Sequence, residues 1–356
     1  MKEKIKIVFF YSTIGHYFTG MLKEIKKSNY ATDIDIVYWN KNDINSNKYE
    51  VEDLPGVNFI PRSSMTNDRL FNHLTKTSPD ILYISGWQDK GYVSTLKKYR
   101  RKKYKSITVC GIDDQWHGTL RQRLGIVYFS LFYRKLYDFM WVAGKPQYHY
   151  AQRFGYGPER IVSNIYSADS DAFNNTADTL KRFIFVGRFV PVKGLDILFS
   201  AYESLHEDIK KEWPLVLIGD GGLREQINQH KSKYIEIKPY MQIEELQAEL
   251  QKGGVACIPS RKDQWGLPIH EMAMLGYPLV LSSACGASTE FLISAYNGYL
   301  FRSGNKDSLH QALLKITQLS TVELELFSKR SRFLANRITS ELAANSFLSI
   351  LYLKDI

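Results

Sequence analysis

The chain reads as an α/β protein of two domains, each a parallel sheet with helices on its faces. Three observations predict this. Its 356 residues exceed what a single core usually supports. Short apolar runs alternate with helical patterns from end to end. The rhythm is interrupted once, by a polar stretch over 167–179 rich in Asn, Asp and Ser, which reads as the linker.

In the first half the apolar runs predict strands over 5–10, 34–38, 81–85 and 107–110, with a helix over 18–27 behind a loop that holds Gly15. The second half predicts strands over 183–186, 215–218, 235–237, 255–258 and 279–282. Helices over 195–205, 223–230, 244–251 and 268–275 fall between them. A last apolar helix, 341–353, follows the finished second sheet and has to pack elsewhere. The domains expected are 1–170 and 171–338, with 339–356 crossing back onto the first.

Composition narrows the function. Hydrophobic residues make up 44% and charged residues 24%, the balance of a folded soluble protein. Cys110, Cys257 and Cys285 have neither zinc-site spacing nor the density of a disulfide framework, so they read as small buried hydrophobes. The N-terminal residues interleave charge with apolar side chains and show no signal-peptide pattern, which points to the cytoplasm. The net charge of +10 is uneven: 26 Lys and Arg against 17 Asp and Glu over 1–173 give +9, and 21 against 20 over 174–356 give +1. Such asymmetry predicts that the first half meets something anionic, a membrane surface or a nucleic acid.

The densest chemical signal lies over 259–278. It leaves a strand, crosses a loop with Asp263, turns at Gly266-Leu267-Pro268 and enters a helix that carries Glu271. Proline suits a first helical turn, and a helix N-terminus seats phosphate through its free N–H groups and dipole. This segment resembles the paired-acid motif of the retaining family-4 glycosyltransferases, with Asp263 in place of the usual first Glu. Three further segments carry the same resemblance in the same order. They are 185–196 with Arg188 and Lys193, 217–221 with Gly219, and 286–301 with its Gly-Ala-Ser-Thr-Glu and Asn-Gly-Tyr runs.

The resemblance implies a GT-B architecture, two facing Rossmann-like domains, and hexosyl transfer from a nucleoside-diphosphate sugar with retention at the anomeric carbon. Arg188 and Lys193 would neutralise the donor diphosphate. Glu271 would hold the ribose hydroxyls, Asp263 the hydroxyls of the transferred sugar, and the N–H groups at Gly266 and Leu267 the sugar or phosphate. Gly15 corresponds to the glycine turn through which the first domain approaches the diphosphate, and the loop holding Tyr240 to the base site. The donor clamp is cationic and the family usually metal-independent, so no metal and no cofactor are expected; the substrate is of UDP or GDP type. Taken singly, Arg188 and Lys193 would read as solvated loop charges, and Glu271 as an acid complementing the helix dipole, worth ~0.3–1 kcal/mol.

On the acceptor side, Cys110 and Gly111 stand where related enzymes often place a His after a strand, leaving His117, Asp113 and Asp114 as candidates. An aromatic run over 124–133 flanked by cations is too short to span a bilayer, which takes ~20 residues. It reads as a buried helix beside the acceptor cleft, with an interfacial helix as the alternative. With the basic run 97–105 it also points to peripheral contact with anionic membrane and a glycan or lipid-linked acceptor. A role in bacterial surface polysaccharide, glycolipid or lipopolysaccharide synthesis follows from the resemblance. The alternatives are a sugar-nucleotide epimerase or a phosphorylase on the same architecture. An NAD-dependent oxidoreductase ranks lower, because 219–222 lacks the full G-x-G-x-x-G pattern. A nucleic-acid binder is set aside for want of a recognition motif.

Overall fold

The computed structural model describes residues 4–30, 32–39, 53–178 and 180–353. Residues 1–3, Thr179 and 354–356, which belong to the expected N-terminal pattern, linker and returning segment, lie outside the described residues. The chain divides into two units, 1–167 with 340–356, and 168–339. The boundaries thus fall at 167/168 and 339/340, beside the expected 170/171 and 338/339.

The first unit runs β1 (Ile5–Tyr11), α1 (His16–Lys27), β2 (Thr32–Tyr38), β3 (Val57–Pro61), α2 (Asn67–Thr77), β4 (Ile81–Ile84) and α3 (Lys90–Arg101). It continues with β5 (Ile107–Ile112), α4 (Leu120–Phe132), β6 (Phe139–Val142), α5 (Lys145–Arg153) and β7 (Ile161–Val162). Its seven strands lie in the order β3-β2-β1-β4-β5-β6-β7 and every pairing is parallel. Central strands β4, β5 and β6 are buried at every residue, as strands covered on both faces must be.

The second unit runs β8 (Phe183–Val186), α6 (Leu195–Glu203), α7 (Glu207–Glu212), β9 (Leu215–Ile218), α8 (Arg224–Asn228), β10 (Ile235–Lys238) and α9 (Ile243–Gln251). Then come β11 (Val255–Ile258), α10 (Leu267–Met274), β12 (Leu279–Ser282), α11 (Ser288–Phe291), β13 (Gly298–Phe301), α12 (Lys306–Thr317) and α13 (Thr321–Ala335). The order is β10-β9-β8-β11-β12-β13, again all parallel. The two-sheet α/β fold predicted from the sequence is the fold observed.

The chain then returns to the first unit as α14 (Ser340–Leu348) and α15 (Ile350–Leu353). Phe347 makes the attachment. It is fully buried, its ring stacked on Phe9 with centroids 5.1 Å apart and tilted against Trp141 at 4.8 Å, and α14 packs beside α1. An aromatic cluster of this kind removes 150–250 Å² per ring from water, which is ample reason for a C-terminal segment to travel back to the first sheet.

Two expectations are corrected. The stretch expected as a linker packs into the second unit over its described residues. Phe173 is fully buried, Ala177 N–H donates to Leu275 O at 2.9 Å, and Asp178 N–H donates to Gln251 O at 2.8 Å. Its polar side chains cap and turn rather than span. The aromatic helix α4 is not buried: Phe129 alone of its residues is, while Leu120 and Leu131 are each 72% exposed. The helix is apolar on both sides, so composition pointed inward when only one side meets the core. The structure also adds β3, which ends in a proline, the two-residue β7, and β6 and β13, which the sequence did not mark.

Two close packings generate tests. His270 in α10 is completely buried, and its Nδ1 accepts from Ala168 N–H at 2.8 Å. Its Nε2 therefore carries the proton and donates to Ala335 O at 3.1 Å, tying the start of the second unit to its end. Burial lowers its pKa to about 4 from 6.5, opposed by the carbonyl of Ala335. A folded-state pKa below the unfolded one means stability that is intact above pH 6.5 and lost as pH falls toward 4, by about 3 kcal/mol over that window. In urea titrations across this range, His270→Asn should show a flatter pH dependence than the parent chain. Separately, a Cβ on Gly111 would fall 2.0 Å from Tyr83 Oη. Gly111→Ala should destabilise by about 1–3 kcal/mol, and adding Tyr83→Leu should recover part of the loss in the same denaturation experiment.

Candidate functional site

The second sheet changes its direction of growth between β8 and β11, with β9 and β10 on one side and β12 and β13 on the other. In open α/β sheets, ligands sit outside the carboxyl ends of the strands at such a point. The loop leaving β8 carries Arg188, which is exposed, and ends in a 3-10 turn over Pro191–Lys193. The loop leaving β11 carries Ser260 and Asp263. These loops meet. Lys193 Nζ lies 2.5 Å from Asp263 Oδ2, and Ser260 Oγ donates to the same oxygen at 3.1 Å. Both charged side chains are largely shielded from solvent, so each helps to neutralise the other.

Beneath the pair lies the buried Cys285. Burial pushes its thiol up, the Asp263 carboxylate adds to the shift and Lys193 opposes it, so the thiol stays protonated. Helix α10 starts at Gly266, whose φ of +91° bends the chain sharply and whose missing side chain leaves the first turn without a side-chain cap. Leu267 and Pro268 form that turn, and Glu271 lies in the next with 3% exposure. Tyr240, on the loop after β10, has its hydroxyl held above the ordinary phenol range first by burial and then by the Glu271 carboxylate. Tyr240 is therefore within electrostatic reach of Glu271. Along this edge the structure gathers Lys193, Asp263, Gly266, Leu267, Glu271 and Tyr240, with Arg188 on the first of the loops.

Gly219 ends β9. A Cβ there would fall 1.9 Å from Gly187 O, so its absence is what lets the loops after β8 and β9 touch. Arg224 locks the next turn, its Nη1 donating to Gly219 O at 2.8 Å and to Lys238 O at 2.9 Å. Close backbone packing accounts for this glycine without a dinucleotide. Ser260 and Arg224 are contributions that the sequence did not single out. Ser260 lies inside the resembling segment, where its spacing to Asp263 was a legible signal; Arg224 left none.

In the first unit, Gly15 is buried just before α1, at the carboxyl end of β1. Asp113, Asp114 and His117 lie on the loop after β5, at the same end of the sheet, and all three are exposed. Asp113 is tied toward the Gly15 loop. Its Oδ2 accepts from Tyr166 Oη at 3.1 Å, and the Tyr166 ring meets that of Tyr17 edge-on with centroids 5.2 Å apart. Tyr17 is pushed up to about 12 by burial, with Asp113 adding to the shift and the hydrogen bond from Tyr11 opposing it. The His117 N–H donates to Gln122 Oε1 at 2.8 Å, which fixes the backbone at the start of α4. Gly111 stands where a His was looked for, and the Tyr83 hydroxyl fills that space.

A cavity of about 1690 Å³ opens at the opposite, amino end of the first sheet between Ser28, Asp80, Ser106 and Asn345. It is remote from every strand carboxyl end, so it is set apart from the candidate site. Among the described residues, no group of three or more His, Cys, Asp or Glu is placed to hold a metal ion.

Comparison with known proteins agrees with this geometry. Residues 167–333 match the family described as Glycosyl transferases group 1. An uncharacterized glycosyltransferase of Methanocaldococcus jannaschii is 31% identical over 137 residues, which is 37% of this chain and 37% of that protein. The chain thus aligns with little more than a third of that relative's length. Among solved structures, the lipopolysaccharide outer core galactosyltransferase WaaB superposes with a TM-score of 0.72 at 14% identity, over 98% of this chain and 100% of WaaB. HepE of Anabaena, solved with UDP and glucose, gives 0.69 at 14% identity over 98% and 99%. At such identities these structures speak to the fold, which is that of GT-B proteins. The domain formed by residues 168–339, almost all of it inside the matched segment, belongs to the glycosyl transferases group 1.

Proposed function

We propose that the chain is a retaining hexosyltransferase that takes a nucleoside-diphosphate sugar, of UDP or GDP type and without a metal, and passes the sugar to a glycan or lipid-linked acceptor. One observation carries this reading: at the switch point of the second sheet, the Lys193–Asp263 pair joins two loops beside the N-terminus of α10. A diphosphate is the anion that such a place suits, with cations from one loop and helix N–H groups from the other. That HepE was solved with UDP and glucose supports a nucleotide-sugar donor on this fold.

In this reading Arg188 and Lys193 hold the diphosphate and stabilise the charge that grows on it as the anomeric C–O bond breaks. Glu271 accepts from the ribose hydroxyls, next to Tyr240 on the base side. Asp263 accepts from hydroxyls of the sugar, and the N–H groups at Gly266 and Leu267 face the sugar or phosphate. The acceptor hydroxyl attacks from the face the diphosphate leaves, giving its proton to a donor phosphate oxygen, so that configuration is retained. Gly15 lets backbone approach the diphosphate. Asp113, Asp114 and His117 are the acceptor-side residues, with Asp113 foremost through its tie to Tyr166. Neighbours such as WaaB support a place in cell-surface polysaccharide or glycolipid synthesis.

The test is thermal unfolding with UDP, GDP, ADP, CMP and NAD, with and without EDTA. One nucleoside diphosphate at 100 times its Kd should stabilise by about 2.7 kcal/mol, regardless of EDTA. Arg188→Ala, at an exposed position, should abolish that shift. With the donor so identified, Lys193→Ala should lower kcat roughly a hundredfold or more. NMR of the product should give the donor's anomeric configuration. Stabilisation by NAD alone, or by none of these ligands, would overturn the reading.

A further inference from the structure

Helix α4 presents an apolar stripe to solvent. Leu120, Leu124, Val127, Tyr128, Leu131 and Phe132 are each more than half exposed, and their 4-3-1-3-1 spacing places them on one side. Phe129 and Ile126 point the other way, into the core around Tyr137, Phe154 and Tyr156. Thirteen residues of helix make this stripe ~20 Å long. Single exposed apolar side chains are ordinary, but six in register on one helix mark a docking surface.

The charges around it identify the occupant. From 115 to 137 there is no Asp or Glu, while Arg121, Arg123, Arg134 and Lys135 lie within or just after the helix. The cationic end of α3 adjoins it: Lys97 Nζ sits 5.0 Å from the ring of Tyr133, next after α4. Arg101, Lys102 and Lys103 follow, all exposed, in a second acid-free stretch from 91 to 112. Some of these cations have intramolecular partners: Arg100 pairs with Asp138 and Lys98 with Asp68. Arg121 on the helix, Lys135 just after it, and Arg101 and Lys102 at the adjoining end of α3 are exposed.

We infer that α4 with the end of α3 docks the first unit onto an anionic lipid surface. The apolar side chains enter the boundary between headgroups and acyl chains, and the cations meet the lipid phosphates. A helix this short cannot span a bilayer, and among the described residues no helix is long and apolar enough to do so. It suits the plane of the interface. A second copy of the chain fits worse, because self-pairing of the stripe would set the cations on and beside α4 against others of the same sign. The inference is independent of the donor site.

The experiment is flotation of the full chain with phosphatidylcholine vesicles and with vesicles that also contain phosphatidylglycerol, at low and high salt. Binding is expected on the anionic vesicles only, and weaker in high salt. Leu124→Gln with Leu131→Gln, and separately Arg121→Gln with Lys135→Gln, should each weaken partitioning roughly tenfold or more. All four are surface positions, so circular dichroism and the unfolding midpoint should match the parent chain, as should any shift with a nucleoside diphosphate. Absence of flotation with anionic vesicles would overturn the inference. So would binding that the leucine variants leave unchanged, or a concentration-dependent dimer that those variants abolish.

Discussion

Parallel strands cannot be joined by tight turns, and most of this molecule follows from that constraint. Each strand must be followed by a crossover, usually a helix, and the crossovers cover both faces of the sheet. Strands therefore become short, wholly apolar runs such as the buried Leu215–Ile218 and Val255–Ile258. A sheet that starts in its middle and grows first one way and then the other has one place where neighbouring loops diverge. In the second unit that place lies between β8 and β11, where Lys193 and Asp263 meet across 70 residues of sequence. The same constraint brings the C-terminus back. A face of the first sheet needs cover that its own crossovers do not complete, and Phe347 supplies it between Phe9 and Trp141.

The ion pairs of the second unit divide by what surrounds them. Glu249 is buried with Arg182, Lys238 and Lys252 about it. Burial works to raise its pKa, yet the hydrogen bonds from those three cations prevail and hold it at about 2. That network has donors on every side and fixes the strand β8 to α9. Lys193–Asp263 is a smaller arrangement at the mouth of the sheet, where one hydroxyl, Ser260, completes the carboxylate oxygen. A saturated network holds elements together, whereas a pair at the edge of a switch point can exchange partners.

What the sequence made legible was whatever repeats. Short apolar runs separated by helical patterns declared five of the second sheet's six strands, most plainly the fully buried β9, β11 and β12. The loop residues of the candidate site were legible only because their types and spacing carried a family resemblance; nothing in the spacing of Lys193 and Asp263 announces a 2.5 Å contact. Helix α4 was misread because periodicity reports amphipathicity, and this helix is apolar both toward Phe129 and toward solvent. The stretch after Ser167 was misread for the opposite reason. Its polar residues conceal Phe173, whose burial within the second unit no pattern encodes.

Asp263, which stands where the resemblance would put a Glu, has its own physical setting in this geometry. A carboxylate at this depth needs a partner, and the shorter side chain is met at once by Lys193 and Ser260. Under the proposed reading, the arriving donor does not fill a site prepared with bare charges. Its diphosphate competes for the ammonium of Lys193 while a sugar hydroxyl offers Asp263 a replacement hydrogen bond. Neither buried charge is left without a partner at any stage, which matters because an uncompensated charge in a shielded position is strongly destabilising. Under that reading the pairing couples recognition of the phosphate to recognition of the sugar, through two side chains which the fold of a parallel sheet brings into contact.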